Sequence, residues 1–272
     1  MKDNCELCAF NNPKCTVTAV IIRDGKILLI KRAEEPFKGK WDFPGGYLNH
    51  LETPEQALKR ELKEELDVEA DLCFIISIPG TSVWKDQEFA ILCHFYLADL
   101  GEQDIKLNRE NSSYGWVRVA ELNPREITFA ANQEMAGLVK EKFNFDLERV
   151  RELMRQLDSS AVVKEQVLYR AVLNGHLEQI FDNGKLIGMG WIFLRQTALR
   201  KQAVIEDMIM DEAYRGRGLG KAILEKLVKW AAEQGVEMIE LTSSPKRIAA
   251  NELYKKFGFN LHPTNHYLYK VK

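Results

Sequence analysis

Apolar and polar residues recur along the chain with two periods, and the changes between them mark out the elements. Residues 16–30, TVTAVIIRDGKILLI, place aliphatic and β-branched runs on either side of Asp24-Gly25, a dipeptide suited to a tight hairpin turn. Two strands and a turn are expected there. Ala33 to Gly46 is rich in Gly and Pro and is expected to be loop. From Thr53 to Leu66 the period becomes helical: Ala57, Leu58, Leu62 and Leu66 form one stripe, Thr53 suits the N-cap and Pro54 the first helical position. Strand-like runs follow at 72–78, 89–97 and 115–119, and a helix is expected over about 130–142.

A second series begins near residue 145. Helical patterns cover about 146–157 and 161–173. Strand-like runs cover 176–182, 186–195 and 202–210, the first two joined at Asn183-Gly184. A helix over about 218–234, a strand at 236–242, a helix at 246–257 and two short terminal strands are expected to complete it. No internal repeat relates the two halves. The expected fold class is α/β (α+β) in two domains, residues 1–144 and 145–272.

Composition narrows the partners. The 272 residues hold 38 Lys and Arg against 40 Asp and Glu, a formal net charge of -2, which gives no whole-chain reason to expect nucleic acid or an anionic membrane. No apolar run approaches the roughly 18 residues of a membrane span. MKDNCELCAF at the N-terminus has no signal-peptide core, so the expected location is the cytoplasm. Five cysteines are too few for a disulfide scaffold. Cys73 and Cys93 sit in apolar runs and read as core residues. Cys5 and Cys8 have the spacing of one metal knuckle, but structural zinc takes four ligands and Cys15 enters the first strand. Zinc is therefore not expected as a stoichiometric component.

The first candidate chemistry lies on the helix at 53–66. Glu61, Glu64 and Glu65 fall at i, i+3 and i+4, on one face, and repel one another unless a cation offsets them. Oxygen-only ligands favour Mg²⁺ or Mn²⁺. Arg60 is adjacent and suited to a bidentate pair with a carboxylate. The run GGYLNHLETPEQALKRELKEELDV resembles the Nudix box, G-x5-E-x7-R-E-U-x-E-E-x-G-U with U aliphatic, through Gly46, Glu52, Arg60, Glu61, Leu62, Glu64, Glu65 and Val68. Asp67 stands where the box has its last glycine, and Asp tolerates left-handed geometry better than most residues.

The resemblance, over about residues 12–140, implies an α/β/α sandwich that hydrolyses a nucleoside diphosphate linked to another group. It implies metal ligation by Glu61, Glu64, Glu65 and the Gly45 carbonyl, with Glu52 in support. The general base would be Glu61 or a carboxylate from a later loop, for which Glu110 is placed. The leaving group is open. Trp84, Phe89 and Trp116 are candidates for stacking a base.

The second candidate is the turn Asp211-Glu-Ala-Tyr-Arg215-Gly-Arg217-Gly-Leu-Gly220, between a strand and an apolar helix. Glycines admit an anion close to backbone N–H groups, and the helix N-terminus adds a favourable dipole. The spacing Arg215-x-x-Gly218-x-Gly220 does not match a dinucleotide fingerprint. It resembles motif A of the GNAT family of N-acetyltransferases, and RIAANELYKKFGF resembles motif B through Ala250, Leu253, Tyr254, Gly258 and Phe259.

This second resemblance, over about residues 146–272, implies a mixed sheet with flanking helices and acetyl-CoA as cosubstrate. The diphosphate would lie on the amides of Arg215, Gly216, Arg217, Gly218, Leu219 and Gly220. Pantetheine would pair with Met208, Ile209 and Met210, with Asn251 as a further contact. Tyr254 would protonate the leaving thiolate. Glu206 or Asp207 would deprotonate an amine acceptor of unknown identity, only one of them facing the cleft if the strand alternates. The expected protein is a bifunctional pyrophosphohydrolase and acetyltransferase. The alternative is a Nudix hydrolase whose second half only binds acetyl-CoA or a partner. A homodimer is left open.

Overall fold

A computed structural model describes residues 12–84, 87–269 and 271. Cys5 and Cys8 lie outside the described residues, as does the Trp84 side chain. The described chain divides into two compact units. The first takes the residues through Leu147 together with Lys164–Leu173; the second takes Glu148–Val163 and the residues from Asn174 onward.

In the first unit, β1 (Lys14–Val20), β2 (Ile22–Arg23) and β3 (Lys26–Arg32) are followed by β4 (Trp41–Asp42), β5 (Gly45–Tyr47) and helix α1 (Pro54–Leu66). Long strands β6 (Asp71–Trp84) and β7 (Gln87–Asp99), then β8 (Asn111–Arg118) and helix α2 (Ala130–Lys142), complete the series. One sheet has the order β5-β1-β7-β6; a second has the order β2-β3-β4, with β8 paired to β3. The hairpin at Asp24-Gly25 forms with both residues at positive φ, 50° and 67°.

Alternate residues of the sheets feed two cores. Val17, Ala19 and Ile21 pack with Leu58, Leu62 and Leu66 of α1, whereas Val20, Ile22 and Phe95 pack with Met135 and Val139 of α2. This is the α/β/α arrangement that the resemblance implied. Strand β6 runs six residues past its expected end at Ile78, through Pro79 and Gly80. As an edge strand it tolerates a proline, and Gly80 lies where an added Cβ would come within 3.2 Å of Ala131.

The two compact units do not part at a single point in the chain. Helix α3 (Leu147–Leu157) belongs almost wholly to the second unit, but α4 (Glu165–Asn174) groups with the first. The reasons are visible in α4 itself. Glu165 accepts the N–H groups of Asp24 and Gly25 at 2.7 and 2.8 Å, Arg170 pairs with Asp71 at 2.6 Å, and Tyr169 is buried edge-on against Phe143.

The second unit holds β9 (Gly175–Asp182), β10 (Lys185–Gln196), β11 (Lys201–Met210), α5 (Leu219–Glu233), β12 (Met238–Leu241) and α6 (Ile248–Phe257). Its sheet has the order β12-β11-β10-β9, antiparallel except for the β11–β12 pair, whose crossover is α5. Ile223, Leu224 and Leu227 of α5 bury against Ile192 and Ile205. Among the described residues, the two expected terminal strands are not formed. Residues 260–269 carry no helix or strand, and Leu261 and Leu268 remain 95% and 88% exposed, with no surface covering them. Among the described residues, no helix is long and apolar enough to cross a membrane.

Candidate functional sites

Helix α1 is set by its ends. Thr53 and Gln56 form a capping box, Pro54 starts the helix, and Asp67 ends it in the left-handed conformation, φ 55° and ψ 38°. Asp67 thus does the work of the missing glycine.

The three glutamates do not share one solvated face. Glu64 is exposed and Glu61 half-buried, while Glu65 is only 5% exposed and turns inward. Its Oε2 accepts the Gly45 N–H at 2.9 Å and its Oε1 accepts the Asn111 side-chain N–H at 3.0 Å. Arg60 gathers the others. Its Nε and Nη2 grip Glu52 at 2.8 and 3.0 Å, and its Nη1 reaches Glu61 at 2.8 Å and Glu64 at 3.2 Å. The bidentate contact holds the Glu52 carboxyl down at about 2.

Burial, with the charges of Glu64 and Glu110 adding to it, pushes the Glu61 carboxyl above its ordinary range. Burial pushes Glu65 further, to about 8, against its two hydrogen bonds. Gly45 and Gly46 permit this closeness. A Cβ on Gly45, at φ 149°, would meet the Val17 carbonyl at 2.0 Å, and one on Gly46 would strike the Glu61 carboxylate at 2.4 Å. Glu110 lies just before β8; its carbonyl accepts the Ala33 N–H at 2.8 Å.

Among the described residues, no three acidic, His or Cys side chains already converge on one point as a metal cage. The donor set nevertheless suits a hard divalent cation. It is all oxygen, and burial holds the Glu61 and Glu65 carboxyls above their ordinary range.

A polar cluster beside α2 escaped the sequence reading. Asp42 is 4% exposed; its Oδ1 accepts the Asn132 side-chain N–H at 2.5 Å and the Phe43 N–H at 2.9 Å. Burial pushes its carboxyl up to about 6. The Thr18 hydroxyl meets the Cys93 thiol at 3.1 Å, so Cys93 is a core residue with a polar neighbour. A cleft of about 290 Å³ adjoins Thr128, with Phe37, Phe129, Lys40 and Arg125 in its wall. One signal for this cluster was present. Asn132 occupies a position of the α2 stripe formed by Met135, Ala136 and Val139, where an apolar residue is the rule.

In the second unit, the turn after β11 is made of backbone. Gly216 and Gly218 sit at φ 78° and 77°, and a Cβ on either would meet nothing within 4 Å. Gly218 is the N-cap of α5, and no side chain caps that helix. Leu219 and Gly220 form its first turn, with Arg215 and Arg217 exposed beside it. Strand β12 pairs with β11 only from Gln202 to Ile205, so the β11 edge beyond it, including Met208, Ile209 and Met210, has no β12 residue opposite.

Strict alternation fails at this point. Met189 pairs with Ile209 but Trp191 with Glu206, a bulge that leaves Glu206 and Asp207 both exposed, with Asp207 at φ 48°. The alternation on which the choice between the two rested is therefore absent here. Burial raises both carboxyls, and the neighbouring Asp207 charge adds to the effect on Glu206. Tyr254 is half-buried against Phe259, and burial raises its phenol. Asn251 donates its side-chain N–H to the Ser244 carbonyl at 2.9 Å.

Comparison with known proteins divides the chain once, between residues 137 and 146, and so places α4 in the second match. The family model described as NUDIX domain matches residues 13–137, and that described as Acetyltransferase (GNAT) family matches residues 146–259. The chain is 50% identical over 54 residues to an ADP-ribose pyrophosphatase of Methanocaldococcus jannaschii, covering 20% of this chain and 32% of that one. It is 53% identical over 55 residues to a CTP pyrophosphohydrolase of Escherichia coli K12, covering 20% and 41%. It is 33% identical over 82 residues to an uncharacterised N-acetyltransferase of M. jannaschii, covering 28% and 35%. The chain spans less than half the length of each of these relatives.

Proposed function

The chain joins a NUDIX domain to an acetyltransferase domain of the GNAT family, and we propose that both are active: a metal-dependent pyrophosphohydrolase of nucleoside diphosphate derivatives and an acetyl-CoA-dependent N-acetyltransferase. The observation that carries the first activity is the assembly of Glu52, Glu61 and Glu64 on Arg60 beside the buried Glu65. Glu61, Glu64, Glu65 and the Gly45 carbonyl would hold Mg²⁺ or Mn²⁺. The ion would neutralise phosphate charge and acidify the attacking water.

Arg60 and Glu52 orient Glu61 and Glu64. Glu61 or Glu110 takes the proton from the water that attacks phosphorus, and the anhydride breaks into two monophosphates. The cleft at Phe37 and Phe129 seats the nucleoside, with Lys40 and Arg125 supplying positive charge. A screen of nucleoside diphosphate derivatives with Mg²⁺, read for phosphate products, tests this reading. No turnover of any member, with or without Mg²⁺ or Mn²⁺, overturns it.

For the second activity, the amides from Arg215 to Gly220 would hold the diphosphate, and the β11 edge at Met208, Ile209 and Met210 would pair with pantetheine. Glu206 or Asp207 accepts a proton from the amine, the amine nitrogen attacks the thioester carbonyl, and the Tyr254 hydroxyl protonates the departing thiolate. A second reading, binding without turnover, is favoured by Asn251 being engaged with Ser244 and Tyr254 packing on Phe259. Calorimetry with acetyl-CoA beside thiol release with a panel of amines separates the two. The acceptor amine and a cytoplasmic location complete the proposal.

A further inference from the structure

The side chains of the turn from Arg215 to Gly218 reach only the residues just before it: Arg215 donates from Nε to the Met210 carbonyl at 3.0 Å, and Arg217 from Nη2 to the Ala213 carbonyl at 3.3 Å. Its four residues are exposed, and its two glycines face open space. Such a segment takes its position from its two ends. One end is α5, fixed by the burial of Ile223 and Leu224. The other is Asp211, the residue after β11, and it is held by an element far away in sequence.

Arg149 of α3 is 7% exposed and Asp211 6% exposed, and their side chains form a direct ion pair. Arg149 also donates from Nε to the Leu186 carbonyl at 2.7 Å and from Nη1 to Glu152 at 2.7 Å. The Asp211 Oδ1 accepts the Ala213 N–H at 2.9 Å, and the Asp211 N–H donates to the Ile187 carbonyl at 2.8 Å. Two helical turns further along the same face of α3, the Gln156 Oε1 accepts the Glu212 N–H at 3.0 Å. One helix thus holds two consecutive residues at the start of the turn.

A buried ion pair is a weak source of net stability, because desolvation offsets most of the attraction. A hydrophobic pair of similar volume would serve the core equally well. What an ion pair with further hydrogen bonds adds is direction. Resting on the acetyltransferase reading above, we propose that Arg149, with Gln156 in support, is a positioning residue that sets the register of the diphosphate-binding turn through Asp211 and Glu212. Neither side chain touches the cosubstrate. The ligand chemistry they serve is the diphosphate, not the thioester.

That separation supplies the test. Arg149→Met alone leaves Asp211 buried without its partner, and the second unit could fail to fold. The double variant Arg149→Met/Asp211→Asn removes both charges while the Asn oxygen still accepts the Ala213 N–H. Melting curves would check its folding, and pyrophosphate hydrolysis, carried by the other unit, would serve as a control on the preparation. Acetyl-CoA and S-acetylpantetheine, which has the same thioester but no diphosphate, are then compared by calorimetry and thiol release.

The expected result is at least a tenfold loss of acetyl-CoA affinity, with kcat/KM for S-acetylpantetheine unchanged. Gln156→Ala should show the same pattern at about threefold. Unchanged acetyl-CoA affinity in the folded double variant overturns the proposal. So does an equal loss for both donors, which would mean general damage to the unit. If wild-type protein binds no acetyl-CoA, the acetyltransferase reading itself fails and this inference falls with it, an outcome distinct from the other two.

Discussion

Around Gly45 to Glu65, charged side chains are held by other side chains: Arg60 satisfies three carboxylates, and Glu65 is locked by the Gly45 N–H and Asn111. Around Arg215 to Gly220 the surface proposed to face an anion is glycine-rich main chain, flanked by the exposed Arg215 and Arg217. Both suit phosphate chemistry, but by different physics. In the proposed function, the first places negative charge where a cation would mediate the approach of an anion. The second offers N–H dipoles to the anion directly. The first should therefore be sensitive to single side-chain charges, and the second to anything that adds bulk or charge near the main chain.

The largest effect should come from Glu64→Gln. Its side chain is 55% exposed and its contact with Arg60 is a surface pair, so folding should change by less than about 1 kcal/mol. Hydrolysis should fall by about 10³-fold in kcat, and chelation of the divalent ion should do the same to wild type. A Glu64→Gln protein with full Mg²⁺-supported turnover would remove this residue from the ligand set.

Tyr254→Phe comes next. The change deletes one hydroxyl from a half-buried ring. Acetyl-CoA binding should persist while transfer drops by about 10²-fold, measured as thiol release under saturating donor. Normal transfer would make Tyr254 a packing residue and point to another proton donor.

Asp42 is a second buried carboxylate of the first unit, beside Glu65. It is fully buried and its carboxyl stands near 6, above the ordinary value of 3.8. A raised carboxyl pKa means that the folded state holds the proton more tightly than the unfolded state does. Asp42 therefore costs stability as pH rises from about 4 to 6, and above that the cost stays constant, on the order of 3 kcal/mol. Asp42→Asn keeps an oxygen to accept from Phe43 and Asn132. Unfolding by denaturant between pH 4 and 8 should show the variant losing this pH-dependent component and gaining at neutral pH. The Arg32 guanidinium lies 3.9 Å from the Asp42 carboxylate, and a variant less stable than wild type at pH 7 would show that it compensates the ionised Asp42 more fully than burial suggests.

The same contrast explains what could be read from the chain beforehand. The box around α1 was legible because its residues lie at fixed spacing on one regular helix, and Asp67 could even be assigned its left-handed role. Motif A was legible because a glycine pattern reports backbone geometry directly. The inward turn of Glu65 was not, since helical periodicity places a residue on a face but does not say which neighbour will desolvate it. Asp42, Thr18 and Asn132 are scattered over two strands and a helix, and only the fold brings such pairs together. The bulge at Glu206 and Asp207 breaks an alternation that sequence pattern assumes. The uncovered segment at 260–269 has strand-like composition, but composition cannot supply a neighbouring strand.

Gly218→Glu probes the backbone site at its most exposed point. Gly218 has φ 77°, and an added Cβ would meet no atom within 4 Å, so steric clash does not oppose the change. Two other effects do. A non-glycine residue in left-handed geometry costs about 1–2 kcal/mol of local strain. A carboxylate at the N-cap would itself occupy the helix N-terminus, where Asp and Glu are favoured by the dipole, and so compete with the diphosphate for the same amides. The strain and the dipole gain partly cancel, so melting should move little. Acetyl-CoA affinity should fall at least tenfold, about 1.4 kcal/mol, with most of the loss in the diphosphate contact. Gly218→Ala separates the two effects, because it carries the strain without the charge. If Gly218→Ala binds acetyl-CoA as weakly as Gly218→Glu, geometry rather than charge governs the turn. If both bind like wild type, the diphosphate does not lie on these amides, and the contrast between a side-chain site and a backbone site is lost.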